Sequence, residues 1–163
     1  MSDGLTIRPY APADLEPVRA MFNAVVAAGE AFVYEHPLSP AAMSAYVAGF
    51  TAAFVAERGG RAVGAYLLRP NLPGRGGHVA NAAYLVSPDA RGDRVGRRMG
   101  EHSLAAAVAM GFSAMQFNAV VSANAAAVRL WASLGFAVIG TVPGGFRLPD
   151  GRIVDLLIMH RAL

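Results

Sequence analysis

Cysteine and lysine are both absent from this chain of 163 residues. Without cysteine there are no disulfides, no thiolate metal sites and no cysteine nucleophile. Without lysine there is no phosphate loop ending in Gly-Lys-Ser/Thr, and no triple-glycine dinucleotide fingerprint replaces it. Charge is sparse, at 15% of residues against 55% hydrophobic, which excludes a disordered chain. Long apolar runs are missing too: the most apolar helical stretch, Leu104 to Met110, is far too short to span a bilayer. Met1-Ser2-Asp3-Gly4 lacks the basic-then-apolar pattern of an export signal. The expectation is one domain over residues 1–163, cytoplasmic, with no membrane, nucleic-acid or metal partner.

All 14 basic residues are arginine, and net charge is only +3. Their placement says more than their number. Arg91, Arg94, Arg97 and Arg98 fall within eight residues, close enough to form a local anion site. A solvated helix face is the competing reading.

The chain reads as an alternation of short elements. Leu5 to Pro9 is a strand, and Pro12-Ala13-Asp14 opens a helix running to about Ala28. Ser39-Pro40 starts a second helix, with serine as N-cap and proline at the first helical position. Strands Ala52 to Glu57 and Ala62 to Leu68 flank a turn at Arg58-Gly59-Gly60-Arg61. Pro70 to Gly77 is a loop, His78 to Val86 a strand, and Ser87 to Gly96 a turn leading to a helix that Gly111 ends. Phe112 to Val121 is a strand, and Ser122 or Asn124 caps a helix that stops at Gly135. Strands Phe136 to Val142 and Ile153 to His160 close the chain around a turn region, Pro143 to Gly151. The order β-α-α-β-β-β-α-β-α-β-β mixes crossovers with hairpins, so an α/β (α+β) fold with a mixed sheet and helices on both faces is expected.

The segment that carries chemistry joins a strand to a helix. In Arg91-Gly92-Asp93-Arg94-Val95-Gly96-Arg97, the glycines let the backbone turn tightly and approach a ligand. Unpaired N–H groups and the positive end of the helix dipole at that point bind phosphate oxygens. Two asparagines also need a reason. Asn81 and Asn118 each lie mid-strand, where asparagine is disfavoured. Either they serve a ligand, or they satisfy main-chain groups exposed at a splay or bulge.

Arg91 to Gly96 resembles the Arg/Gln-x-x-Gly-x-Gly/Ala pyrophosphate loop of the GCN5-related N-acetyltransferases (GNAT), with Arg94 where that pattern usually has glycine. Asn124 to Phe136 is similar to the second cofactor segment of the same family, an asparagine-led helix ending in Leu-Gly-Phe. The resemblance implies acetyl-CoA as cosubstrate, without metal. It places the pyrophosphate on Arg91, Gly92, Asp93, Arg94, Val95, Gly96 and Arg97, and adds Asn124 and Trp131 as cofactor contacts. The strand bearing Tyr84, Leu85 and Val86 would pair its main chain with the pantetheine, and the amine would attack the thioester directly. Relatives often place a tyrosine acid on the asparagine-led helix. Trp131 stands there in this chain, and an indole N–H is no proton donor at neutral pH.

A narrower group, the fungal acetyltransferases that detoxify proline analogues, resembles the chain at Tyr34 to Leu38, Arg69-Pro70-Asn71, His78-x-x-Asn81-Ala82 and Phe117-Asn118 with Asn124 six residues on. That resemblance makes Asn81 and Asn118 catalytic and substrate-binding residues, makes Asn124 a catalytic or cofactor residue, and directs attention to Tyr34 and His36 at the acceptor. Candidate bases are His78 and the Glu35-His36 pair, each of which also has a structural or exposed reading. Asp155 is expected to pair with an arginine. The leading expectation is acetyl transfer to a small amine, an amino acid or analogue. A non-catalytic acyl-CoA sensor and a protein acetyltransferase are the alternatives. Homodimers are common on the implied fold, but no stretch of the sequence marks an interface.

Overall fold

Ser39 and Pro40 do what their types demand: the Ser39 hydroxyl accepts from the Ala42 N–H at 3.2 Å, and Pro40 occupies the first helical position. Local signals of this kind recur along the chain. The computed structural model describes residues 4–163, so the reading of Met1 to Asp3 as lacking an export signal lies outside the described residues. The elements are β1 (Leu5–Pro9), α1 (Leu15–Ala28), α2 (Pro40–Ala48), β2 (Ala52–Arg58), β3 (Arg61–Pro70), β4 (Val79–Val86), α3 (Val95–Ala109), β5 (Ala114–Val121), α4 (Ala125–Ser133), β6 (Ala137–Arg147) and β7 (Ile153–Ala162). Their order is the one expected. A 3-10 turn over Pro12–Asp14 precedes α1, and Gly111 follows α3 in the left-handed region at φ 87°, where glycine carries no Cβ penalty.

The strands form one sheet in the order β1-β2-β3-β4-β5-β7-β6. Every pairing is antiparallel except β4 with β5. Alternation sorts the side chains onto two faces. Val55, Ala65 and Leu85 pack with Val18, Phe22 and Val25 of α1 and with Met43 of α2. Tyr66, Leu68 and Ala80 face the opposite way, with Val95 and Met99 of α3 and Trp131 of α4. Helices therefore cover both faces.

Several boundaries differ from expectation, the largest difference being at β6. β6 runs on to Arg147 instead of ending at Val142, because Pro143-Gly144-Gly145 is absorbed as an irregularity between Val142 and Phe146, not as a turn. Asp155 is the reason: its carboxylate accepts the Gly144 N–H at 2.8 Å and holds the irregularity against β7. The expected arginine partner for Asp155 is thereby corrected. β5 starts at Ala114, two residues later than expected.

Candidate active site

β4 and β5 run side by side for only two residue pairs, Val79 with Ala114 and Ala80 with Met115. They then part. β5 stays with β7, slipping register between Phe117 and Val120, while β4 continues beside β3 up to Val86. Aromatic rings pack between the strands on the α3/α4 face: Tyr84 lies 5.8 Å from Phe117 and 4.6 Å from Trp131, centroid to centroid. From Asn81 onward β4 thus has an edge with no strand on its β5 side. Its main-chain groups there can pair with an extended ligand.

The turn after β4 delivers donors to the same edge. Arg91 and Asp93 N–H groups close 3-10-like turns onto Pro88 and Ala90 carbonyls. The N–H groups of Gly92, Arg94, Val95, Gly96 and Arg97 have no protein acceptor among the described residues. Four of them are consecutive and sit where the dipole of a 15-residue helix is positive. Arg94 is the single non-glycine residue with positive φ, 59°, among the described residues. The glycine of the related pattern thus has a conformational reason, and Arg94 meets it despite its Cβ.

These groups border a groove of about 540 Å³ lined by Val86, by the turn through Arg97, by Asn124, and by Ala127 and Leu130 of α4. Gly96 faces it from the first turn of α3, with Val86 and Leu130 beside the position where a Cβ would stand. The four-arginine cluster does not act as one. Arg91, Arg94 and Arg97 line the groove, Arg97 also pairing with Glu101 at 3.0 Å. Arg98, one residue on and about 100° further round the helix, reaches instead toward the Leu5 carbonyl of β1. Asp93 is not on the groove wall, and its carboxylate is paired with Arg58 at 2.8 Å. Leu85 buries its side chain completely against α1, so only its main chain faces the edge. Asn124 caps α4, its Oδ1 accepting from the Ala127 N–H at 3.1 Å, and lines the groove as well. Trp131 is in the core and not on the groove wall, packed among Tyr84, Phe117 and Phe136.

On the opposite face of the splay, Asn81 and Asn118 meet through a third amide. Asn71 Oδ1 accepts from Asn81 Nδ2 at 3.1 Å and from Asn118 Nδ2 at 2.7 Å. Gln116 Nε2 donates to Asn118 Oδ1 at 3.0 Å. Asn71 and Gln116 were not singled out from the sequence. Asn71 occupies a Pro/Gly loop, where asparagine is ordinary, and only its place in the Arg69-Pro70-Asn71 tripeptide hinted at it.

Tyr34 and His36 stand apart from this network. They line a separate depression of about 620 Å³ between the segment after α1 and the β6–β7 hairpin. The segment is pinned at Leu38, whose N–H and C=O both bond the Asn23 amide. In the depression Phe32 is half-buried and Val33 exposed. Tyr34 stacks edge-on against Tyr46 at 5.9 Å and Phe22 at 5.3 Å. Burial pushes the Tyr46 phenol up to about 12, and burial likewise raises Tyr84. Neither is a phenolate at neutral pH, so neither supplies a base. His78 is exposed, with Nδ1 against the Arg75 carbonyl at 3.1 Å. Among the described residues no cluster of three or more His, Asp or Glu could hold a metal ion, and no helix is long and apolar enough to cross a membrane.

Comparison with known proteins agrees with this geometry. Residues 21–136 match the family described as Acetyltransferase (GNAT) family. A GCN5-related N-acetyltransferase from Kribbella flavida is 37% identical and superposes with a TM-score of 0.92 over 100% of both chains. yncA from Salmonella typhimurium, solved with its cofactor acetyl-CoA, is 25% identical with a TM-score of 0.87 over 98% of this chain and 94% of that one. The N-acetyltransferase aca1 of Schizosaccharomyces pombe is 37% identical over 86 residues, 53% of this chain. That match spans 41% of the aca1 chain.

Proposed function

The chain belongs to the acetyltransferase (GNAT) family, an acetyl-CoA-dependent N-acetyltransferase by descent, and on that premise we propose that its acceptor is the amine of a small molecule, an amino acid or a close analogue. The observation that carries the acetyl-CoA premise is the run of unpaired N–H groups from Arg94 to Arg97, opening on a groove beside the free edge of β4. Donors, helix dipole and the arginines Arg91, Arg94 and Arg97 suit a diphosphate. The main chain at Leu85 and Val86 suits an extended pantetheine, and Asn124 borders the same path.

Acetyl-CoA supplies an activated acyl carbon. The acceptor nitrogen attacks that carbon, the C–S bond breaks, coenzyme A leaves as thiolate, and the nitrogen gives up one proton. No protein nucleophile is required, so a chain without cysteine suffices. The β4 N–H groups beside the splay are placed to stabilise the developing oxyanion. Asn81 and Asn118, on the acceptor side, would hold the amine without adding charge. Tyr34 and His36, in their separate depression, are not assigned to the acceptor. An uncharged network of three amides, Asn71, Asn81 and Asn118, suits a small amine better than a charged peptide. A cytoplasmic reaction is the reading consistent with a cosubstrate that does not cross membranes unaided.

A thiol-release assay with acetyl-CoA and azetidine-2-carboxylate, L-methionine, benzylamine or a lysine-bearing peptide tests this. Turnover of the small amines is expected. Release with the peptide alone would overturn the small-molecule reading. Tight coenzyme A binding with no release would leave a sensor, an outcome that Trp131 in the usual place of a phenol keeps in view.

A further inference from the structure

We propose that Asn71, in the loop after β3, is a positioning residue for the acceptor: its side-chain carbonyl locks the amides of Asn81 and Asn118 so that the Asn81 carbonyl oxygen is presented to the incoming N–H. The inference rests on the reading of Asn81 and Asn118 as acceptor-site residues.

Counting donors and acceptors leads to it. A carboxamide oxygen has two lone pairs. Those of Asn71 are both used, by Asn81 Nδ2 and Asn118 Nδ2. Asn118 is held at its other end too, because its Oδ1 accepts from Gln116. Neither Asn81 nor Asn118 can flip without facing oxygen to oxygen across Asn71. With Nδ2 turned toward Asn71, Asn81 Oδ1 is left with no protein donor among the described residues. An unpaired carbonyl oxygen selects a partner that donates, which an amine does and a carboxylate does not.

The placement explains why a loop residue does this. The Asn71 N–H is tied to the Val79 carbonyl at 2.8 Å, which fixes the loop against the start of β4. Asn81 and Asn118 lie on strands that have just parted, so no ladder holds their separation there. Asn71 bridges the two strands where the backbone pairing ends. It touches the groups that would touch substrate, and acts through them.

The test combines kinetics with side-chain NMR. With the fastest of azetidine-2-carboxylate, L-methionine and benzylamine as acceptor probe, Asn71→Ala is expected to raise the acceptor KM about tenfold or more. The coenzyme A Kd and the melting temperature should hardly move. Asn71→Asp retains the accepting oxygen and should recover most of the loss. Without any amine, the Nδ2 protons of Asn81 and Asn118 should lose their hydrogen-bonded shifts in Asn71→Ala and keep them in Asn71→Asp. Asn71→Ser, which keeps the loop polar but cannot span the gap, should behave as Asn71→Ala does. If Asn81→Ala and Asn118→Ala impair turnover while Asn71→Ala and Asn71→Ser do not, the positioning role is overturned and the acceptor reading survives. If none of the asparagine variants changes acceptor kinetics, the acceptor reading falls and this inference with it. Unchanged Nδ2 shifts in Asn71→Ala would overturn the inference directly.

Discussion

Arg58, the last residue of β2, pairs with Asp93 in the turn before α3, Nη1 to Oδ2 2.8 Å. The pair ties the turn to the β2–β3 hairpin and keeps the Asp93 carboxylate off the wall of the anion groove.

Arg58→Ala should therefore weaken coenzyme A binding by about threefold to fivefold, by releasing a carboxylate beside the pyrophosphate. The double variant Arg58→Ala/Asp93→Asn should recover most of that loss. Calorimetry at low and high salt checks it, because the effect should shrink as salt screens the carboxylate.

Gly96 and Gly100 lie one helical turn apart and should respond in opposite ways. A Cβ on Gly96 would meet Leu130 at 3.5 Å and Val86 at 3.8 Å, ordinary contacts. Gly96→Ala should leave stability equal or raise it by up to about 1 kcal/mol, while coenzyme A affinity falls about tenfold. A Cβ on Gly100 would come within 2.5 Å of Leu134 and 3.2 Å of Trp131. Gly100→Ala should cost about 1–3 kcal/mol through overpacking, with coenzyme A affinity of the folded protein unchanged. Denaturant unfolding and calorimetry on both variants separate the two effects. Equal affinities would remove the pyrophosphate assignment.

Arg94 holds a left-handed backbone at φ 59° that costs a non-glycine residue about 1 kcal/mol. Arg94→Gly and Arg94→Ala remove the same charge, so both should weaken coenzyme A binding. Only the glycine variant relieves the strain, and it should unfold at higher denaturant than the alanine variant. The reverse order would show that the turn relaxes on its own.

Asp14 is buried and accepts from both Arg8 Nη atoms, at 2.8 and 2.9 Å, and from the Ala11 N–H at 2.8 Å. The hydrogen bonds from Arg8 hold its carboxyl below the ordinary carboxylate range. A depressed folded-state value contributes stability above the unfolded pKa of about 3.9, and that stability is lost as pH falls through the folded value. Asp14→Asn should cost about 1–3 kcal/mol at pH 7. The gap between variant and wild type should narrow below about pH 4 in urea unfolding.

Trp131→Tyr should not improve turnover. The ring sits among Phe117, Phe136 and Tyr84, so a new hydroxyl would enter an apolar cluster and cost about 1–3 kcal/mol. A large gain in kcat would mean that a phenol at 131 reaches the departing sulfur.

Most of the architecture was legible in advance. Ser39-Pro40, Asn124 and Gly111 mark helix ends where the structure has them, and the alternating strands fall close to their expected bounds. The β6 boundary was missed because Pro143-Gly144-Gly145 has turn composition, while Asp155 on the neighbouring strand holds it in the sheet. The turn was legible as an anion site, but its electrostatics were not. Nothing in the spacing of Arg97 and Arg98 says that one faces the groove and the other faces β1.

Element order, caps and the phosphate turn follow from the residues alone, because capping, alternation and glycine geometry act over a few neighbours along the chain. The amide network could not be read that way. Asn71 lies 10 residues from Asn81 and 47 from Asn118, and no local rule relates them. They meet because a crossover through α3 lays β5 beside β4 for two pairs, after which β5 follows β7 and β4 follows β3. Strand register and long-range packing decide which polar side chains share a site, and both exist only in the folded chain.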